Sequence, residues 1–155
     1  MTRRVGFACK YLHEDQTQKK KILEELQRPL TERSTTAAWL NRQTREEAEQ
    51  RLWDIMEHNT RAAFNLVSYV GSLPAEQRMV RLGSNQLPMY THPDFKHFWQ
   101  RTDVQDYAAK RYAVVGETAR KLDVRMSMHP GQFVVLASDN PEIVAGKTSY
   151  GIEYV

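Results

Sequence analysis

The stretch from Val124 to Pro141, VRMSMHPGQFVVLASDNP, constrains the chain more than any other. It opens with strict alternation: Val124, Met126 and Met128 fall on one face of an extended strand, and Arg125, Ser127 and His129 on the other. Pro130-Gly131 then stops the strand, and Gln132-Phe133 follow on what should be a tightly turned loop. Asp139-Asn140-Pro141-Glu142 predicts the start of a helix, with Asn140 as cap and Pro141 at the first helical position. One face can pack on helices, while the opposite, polar face ends in a histidine. In parallel-sheet proteins the carboxyl ends of the strands and the loops that follow them are where ligands bind and chemistry is done.

The rest of the chain repeats this grammar. Arg4 to Cys9 (RVGFAC) predicts a first, buried strand, in which Gly6 marks a close backbone approach. His13 to Arg28 is polar and charged, with Lys19-Lys20-Lys21 ahead of Ile22-Leu23-Glu24-Glu25-Leu26; it predicts a short amphipathic helix ended by Pro29. This segment reads as a solvated surface insertion, with a phosphate-contacting arm as the alternative. Thr31 to Gln43 reads as loop. Thr44-Arg45-Glu46-Glu47 is a capping box that launches a helix over 45–68. Leu52, Met56, Ala63 and Val67 form its buried stripe, widened by Trp53 and Phe64, with Glu46, Gln50 and Asp54 toward solvent. His58, alone in mid-helix, reads as structural. Met79 to Ser84 predicts the second strand, followed by a loop that carries His92 before Pro93. Phe95, Phe98 and Trp99 read as packing rather than as a base-stacking platform. Thr102 to Gln105 predicts the cap of a helix running to Leu122, whose buried stripe is Ala108, Tyr112, Val115 and Ala119. The order is strand–helix three times over, with crossovers long enough for parallel pairing.

The chain has 155 residues, 41% of them apolar, with a net charge of +3. That is one ordinary domain, short of the roughly 250 residues of a closed eight-stranded α/β barrel. A sequence pI near 9.0 permits a polyanionic partner without demanding one. Cys9 is the single cysteine, so no internal disulfide forms and a reducing compartment is the default. No apolar run approaches the roughly 20 residues of a membrane span, and no targeting segment is visible.

Neutral histidine suits Zn, Mn or Fe, yet His129 by itself reads equally as a ligand or as a satisfied core histidine. His92 is a whole βα unit away, so the two converge only in a folded sheet; neither H-x-x-x-H nor C-x-x-C spacing is present. Phe133 could cover the core below Val134 and Val135, or wedge into a base stack. Arg81, Arg125 and Lys10 read as solvated charges or as phosphate contacts.

The block S-M-H-P-G-Q-F (Ser127–Phe133) resembles the motif of the UV damage endonucleases, DNA-repair enzymes on a metal-dependent TIM barrel. A second match lies in Arg81, Pro88, Thr91, His92 and Pro93, in the same strand–loop context. The first strand is similar to the family's R-x-G-x-x-C, with Tyr11 where that family usually has Asn and Phe7 where it often has Tyr. Thr35-Thr36 and Asn59 also match positions of the family, and Asn59 is expected to bond a neighbouring loop.

The resemblance implies the first three βα units of a (β/α)8 fold, with 1–155 forming the N-terminal part of the enzyme and a helical insertion at about 13–30. It implies that His129 ligates one of up to three divalent ions, Mn²⁺ being the expected metal, and that His92 is catalytic or phosphate-binding. Gln132 and Phe133 would probe the lesion, and Arg81, Arg125 and Lys10 would contact phosphates. The implied reaction is metal-dependent hydrolysis that nicks double-stranded damaged DNA 5′ to UV photoproducts or abasic sites, in the cytoplasm at the nucleoid of a bacterium or virus. The remaining ligands would come from later strands outside this chain, so a homodimer or association with a C-terminal half is expected. Two alternatives stand beside this: another barrel of the apurinic endonuclease or sugar isomerase group, and a non-catalytic DNA-binding or dimerising fragment. The Gln132-Phe133 pair argues against the isomerase, because a small sugar needs no wedge.

Overall fold

The computed structural model describes residues 3–129 and Pro141. Three parallel strands, β1 (Phe7–Ala8), β2 (Met79–Leu82) and β3 (Arg125–Met128), form a sheet in the order β1-β2-β3. Between β1 and β2 lie α1 (Lys20–Gln27), a 3₁₀ turn at Arg28–Leu30, the short α2 (Ala37–Leu40), the long α3 (Arg45–Gly71) and a second 3₁₀ turn at Ala75–Gln77. Between β2 and β3 lie α4 (Lys96–Trp99) and α5 (Thr102–Lys121).

The register explains which face does what. Phe7, Val80 and Met126 are in line on the face covered by α3 and α5, where Val80 is fully buried. Ala8, Arg81 and Ser127 are in line on the opposite face, where Ala8, Arg81 and Arg125 are exposed. In a barrel, that second face is the inner one. The close approach expected at Gly6 is present: a Cβ there would overlap the carbonyl of Met79, at the start of β2.

The capping box forms. Thr44 Oγ1 accepts from the Glu47 N–H at 3.2 Å, and the Thr44 N–H donates to Glu47 Oε2 at 3.0 Å. These bonds satisfy two of the donors that the first helical turn leaves open. Leu52, Met56, Ala63 and Val67 are buried as expected, together with Ile55, Ala62, Leu66 and Val70. Phe64 departs from expectation: it is 37% exposed, because the buried stripe is centred on the 62–63–66 side of the helix. The α5 stripe holds at Ala108, Val115 and Ala119, with Tyr112 half-buried. Its cap differs, since the N-cap is Arg101, whose guanidinium bonds Asp103 and Glu49, and Thr102 is the first helical residue.

β1 is shorter and more exposed than the buried strand expected over Arg4–Cys9. Among the described residues only one of its edges is paired, and Val5 before it is 76% exposed. Thr31 to Gln43, expected as loop, contains α2, whose N-cap Thr36 accepts from the Trp39 N–H at 3.2 Å.

The interior has two parts. One lies between the sheet and the helices: Leu66, Val67 and Val70 from α3 meet Val80 and Leu82 from β2 and Val115 from α5. The other lies beneath the loops at the carboxyl edge, where Leu40, Leu52, Met56, Phe95, Phe98, Trp99 and Val104 pack together. Tyr112 touches both. The three aromatic residues at 95, 98 and 99 are therefore packing groups, as expected.

Candidate functional site

Backbone bonds draw the carboxyl ends of the strands together. The Cys9 N–H donates to the Arg81 carbonyl, and the His129 N–H to the Leu82 carbonyl, each at 2.8 Å. His129 is thus pinned by its main chain beside the end of β2 while its side chain is exposed. Cys9 has φ 65°, and the Lys10 N–H closes a tight turn onto the Ala8 carbonyl at 2.7 Å. Positive φ in a residue with a Cβ stores strain, and it occurs here where β1 delivers its chain to the edge. The turn leaves Lys10 exposed at this edge.

The loop after β2 is held at its root by Asn59 of α3, fully buried in the interior. Asn59 Oδ1 accepts from the Arg33 N–H at 2.7 Å, and its Nδ2 donates to the carbonyls of Arg33 (2.9 Å), Asn85 (2.9 Å) and Gln86 (3.1 Å). One side chain therefore fastens the first strand's loop to the second's, which bears out the expected bond to a neighbouring loop. His58 is structural as expected: its Nε2 lies 3.0 Å from the Thr31 carbonyl. Burial, with help from Arg33, Arg61 and Arg28, holds its imidazole below the ordinary range.

His92 lies further along the same loop, half-buried, with its ring packed 5.3 Å from that of Phe95. The Asp94 N–H donates to His92 Nδ1 at 3.2 Å. With Nδ1 accepting from the main chain, Nε2 is the ring nitrogen left to face a ligand. The Asp94 carboxylate, 3.9 Å from Nδ1, is tied in turn to Asn41 at 3.3 Å. His92 thus lies in the loop after β2 and His129 at the end of the neighbouring β3, on separate supports.

The other expected residues divide. Arg81 stands near the carboxyl end of β2 on the open face, in register with Ser127. Arg125 pairs with Met79 at the amino end of β3, a strand's length from His129. Gln132 and Phe133 lie outside the described residues. The expected helix start at Asn140-Pro141 does too, save for Pro141 itself, which is helical.

Sequence reasoning passed over Glu32. Its Oε2 accepts from Gln86 Nε2 at 2.6 Å, and its Oε1 from the Asn85 N–H at 3.4 Å and from Asn85 Nδ2 at 3.3 Å. Burial pushes its carboxyl above the ordinary range, against the pull of those three bonds. The Cys9 thiol is raised as well, by burial and then by the charge of Glu32, with Arg81 opposing. A glutamate in the polar run TERSTT carries no sequence signal that separates it from a solvated one.

A divalent-ion site needs several convergent donors. Among the described residues no three His, Cys, Asp or Glu side chains stand close enough to hold an ion. The exposed imidazole of His129 suits one position in such a set, and the described residues do not complete it.

Sheet order, register and the polar carboxyl edge define an α/β protein of the TIM-barrel type, seen here as its first three strands. The crystal structure of SacUVDE superposes on it with a TM-score of 0.68 at 21% identity, covering 98% of this chain and 43% of that one. The family model for UV-endonuclease UvdE matches residues 4–149, and the chain belongs to that family. Among relatives, the UV DNA damage endonuclease of Bacillus cereus (strain Q1) is 26% identical over 100 residues, 64% of this chain and 29% of that protein. The same enzyme of Bacillus mycoides (strain KBAB4) is 26% identical over 99 residues, with the same coverage. The chain therefore spans under a third of the length of the curated relatives it matches. No helix among the described residues is long and apolar enough to cross a membrane.

Proposed function

We propose that the chain supplies the histidine-bearing strands of a DNA-repair endonuclease that nicks a duplex 5′ to UV photoproducts or abasic sites by metal-dependent hydrolysis. The observation that carries this reading is His129 at the carboxyl end of a parallel strand, main chain pinned and imidazole exposed, inside a family match covering residues 4–149. In this reading His129 is one ligand of a divalent cluster, Mn²⁺ by expectation. The metal's contribution is to activate water and to neutralise charge on the phosphate. The other ligands come from the part of the relatives' length that this chain does not span.

His92 offers its Nε2–H to a phosphate oxygen, because Asp94 reserves Nδ1. Lys10 and Arg81 contribute positive charge at or near the same edge. Phosphate contacts of this kind position a duplex without reading its sequence, which suits an enzyme directed by damage. Gln132 and Phe133 are the lesion-probing pair in this reading: a ring can wedge at a weakened base step while an amide replaces lost base hydrogen bonds. Damaged double-stranded DNA is thus the partner, and the nucleoid the place of work.

The open edges of β1 and β3 suggest how the site is completed. Among the described residues neither has a strand beyond it, and open edges pair readily. Further strands, from a second copy or from the remainder of a longer polypeptide, would close the sheet.

The test is binding and cleavage of a duplex carrying one abasic site or one cyclobutane dimer, with Mn²⁺, by the 155-residue chain and by a longer polypeptide that includes it. Nicking by the longer form 5′ to the lesion, reduced about 100-fold or more by His129→Ala, is expected. Equal nicking of undamaged duplex, or activity indifferent to His129, would overturn the assignment.

A further inference from the structure

We propose that Glu32 is a positioning residue of the carboxyl edge: it fixes the root of the loop that carries His92, and its charge state decides which way the Gln86 amide points. The inference deepens the reading above, because it assigns a function to the support of His92.

Geometry carries it. Glu32 belongs to the chain after β1, yet its carboxylate sits over Gly83, the residue that follows β2. A Cβ at Gly83 would overlap that carboxylate, so a side chain there would push the Glu32 carboxylate aside. All three of its hydrogen-bond donors belong to Asn85 and Gln86, at the start of the His92 loop. The backbone carbonyls of the same two residues are held by Asn59. The loop root is thus gripped through its side chains by Glu32 and through its main chain by α3.

The grip is an unusual one for a charge. Among the described residues each donor to Glu32 is a neutral N–H, and no cation is hydrogen-bonded to it. A half-buried carboxylate met only by dipoles is more expensive for a fold than an amide of the same shape. Groups held at such expense beside a site are candidates for function rather than for stability.

Gln86 transmits the charge. It is 5% exposed; its Nε2 donates to Glu32, and its Oε1 accepts from the Tyr112 hydroxyl of α5 at 3.1 Å. Only a donor can face a carboxylate, so ionised Glu32 sets this orientation. Oε1 goes on accepting from the two Asn85 donors, so a proton on Glu32 falls on Oε2, which then donates toward Gln86. The amide then turns over, accepting from the Glu32 O–H and presenting its NH₂ to the Tyr112 oxygen. The titratable and charged groups around Glu32 are Cys9 and Arg81 at the strand ends, Arg33 beside it in the chain, His58 across from Thr31 on α3, and Tyr112 beyond Gln86. Of these, Cys9 directly registers the charge of Glu32.

NMR of the ¹⁵N-labelled chain tests the proposal without DNA or metal, so its outcome is separate from that of the cleavage assay. The Gln86 side-chain NH₂ resonances should move through one inflection above the ordinary glutamate range. That inflection should vanish in Glu32→Gln and persist in the surface control Asp54→Asn. Glu32→Ala should speed amide exchange at Asn85 and His92 by about tenfold while Val67 in α3 stays protected, and Glu32→Gln should restore most of the protection. Glu32→Gln should also raise the alkylation rate of Cys9 near about pH 7.5, where thiolate content limits reaction. A Gln86 amide that ignores pH in the parent chain would overturn the proposal. So would unchanged exchange at Asn85 and His92 in Glu32→Ala. If Glu32→Ala does not fold, the Gln86 titration in the parent chain and in Glu32→Gln decides.

Discussion

The two edges of the sheet treat the charged groups beside the strand ends differently. At the amino edge, Arg4 bonds the Asp123 carboxylate and carbonyl, each at 2.6 Å. Arg78 there reaches the carbonyls of Leu73 at 2.9 Å and Leu122 at 3.3 Å. Charges are matched by opposite charges or helix-end carbonyls, and the Asp123 side chain is 68% exposed. At the carboxyl edge the half-buried carboxylate of Glu32 has, among the described residues, only neutral donors, Cys9 is backbone-strained, and His129 is exposed. Beside the strands, the amino edge matches its charges while the carboxyl edge leaves the Glu32 carboxylate to neutral donors; each edge carries a residue at positive φ, Asp123 at the first and Cys9 at the second. That division is the one expected of barrel-type folds, whose chemistry gathers at the carboxyl face.

Substitutions can break this contrast. Asn59→Ala should have the largest effect. It strips buried backbone groups of two loops of their partners, at about 1–3 kcal/mol for each group left unsatisfied. A total loss of about 3 kcal/mol in urea unfolding is expected; a loss below about 1 kcal/mol would mean the loops are held by other contacts. Gly83→Ala should follow, at about 1–3 kcal/mol, because the new methyl group meets the Glu32 carboxylate. The same change in a Glu32→Ala background should be milder by about 1 kcal/mol, and a double-mutant cycle reads that coupling.

The pH dependence sharpens the comparison, because two neighbouring groups give opposite slopes. The carboxyl of Glu32 is raised by burial, so the native chain holds its proton longer than the unfolded chain does. Stability should fall as pH rises from the ordinary glutamate value of 4.5 to the native midpoint, and Glu32→Gln should remove that slope. The imidazole of His58 is lowered by burial, so its contribution is lost as pH falls below 6.5 through the native midpoint. His58→Gln should remove that second slope. Thermal melts across the acid range measure both.

Arg4→Ala at the amino edge should have the smallest effect, about 0.5–1 kcal/mol, since a pair with one exposed partner is screened by water. A larger loss would show that this edge too depends on single contacts.

Much of the fold was legible in the sequence. Alternation over Val124–His129 and the capping box at Thr44 are local patterns, and local sterics and hydrogen bonding enforce them. Two histidines before proline, one in the loop after β2 and one at the end of β3, were visible for the same reason, and with them the resemblance to a repair-nuclease family. The exposure of β1 and of Phe64 was not, because burial depends on what lies across from a side chain rather than on its neighbours in the chain.

By itself, then, the sequence determined the βα order, the polar and apolar faces of its strands, and the residues that could do chemistry. Only the tertiary structure decided that Glu32 reaches Gly83, that Asn59 ties two loops together, and that Arg125 stands at the opposite end of β3 from His129. Hydropathy and turn chemistry act over a few residues, whereas these placements follow from the register of strands more than forty residues apart, which no local pattern encodes.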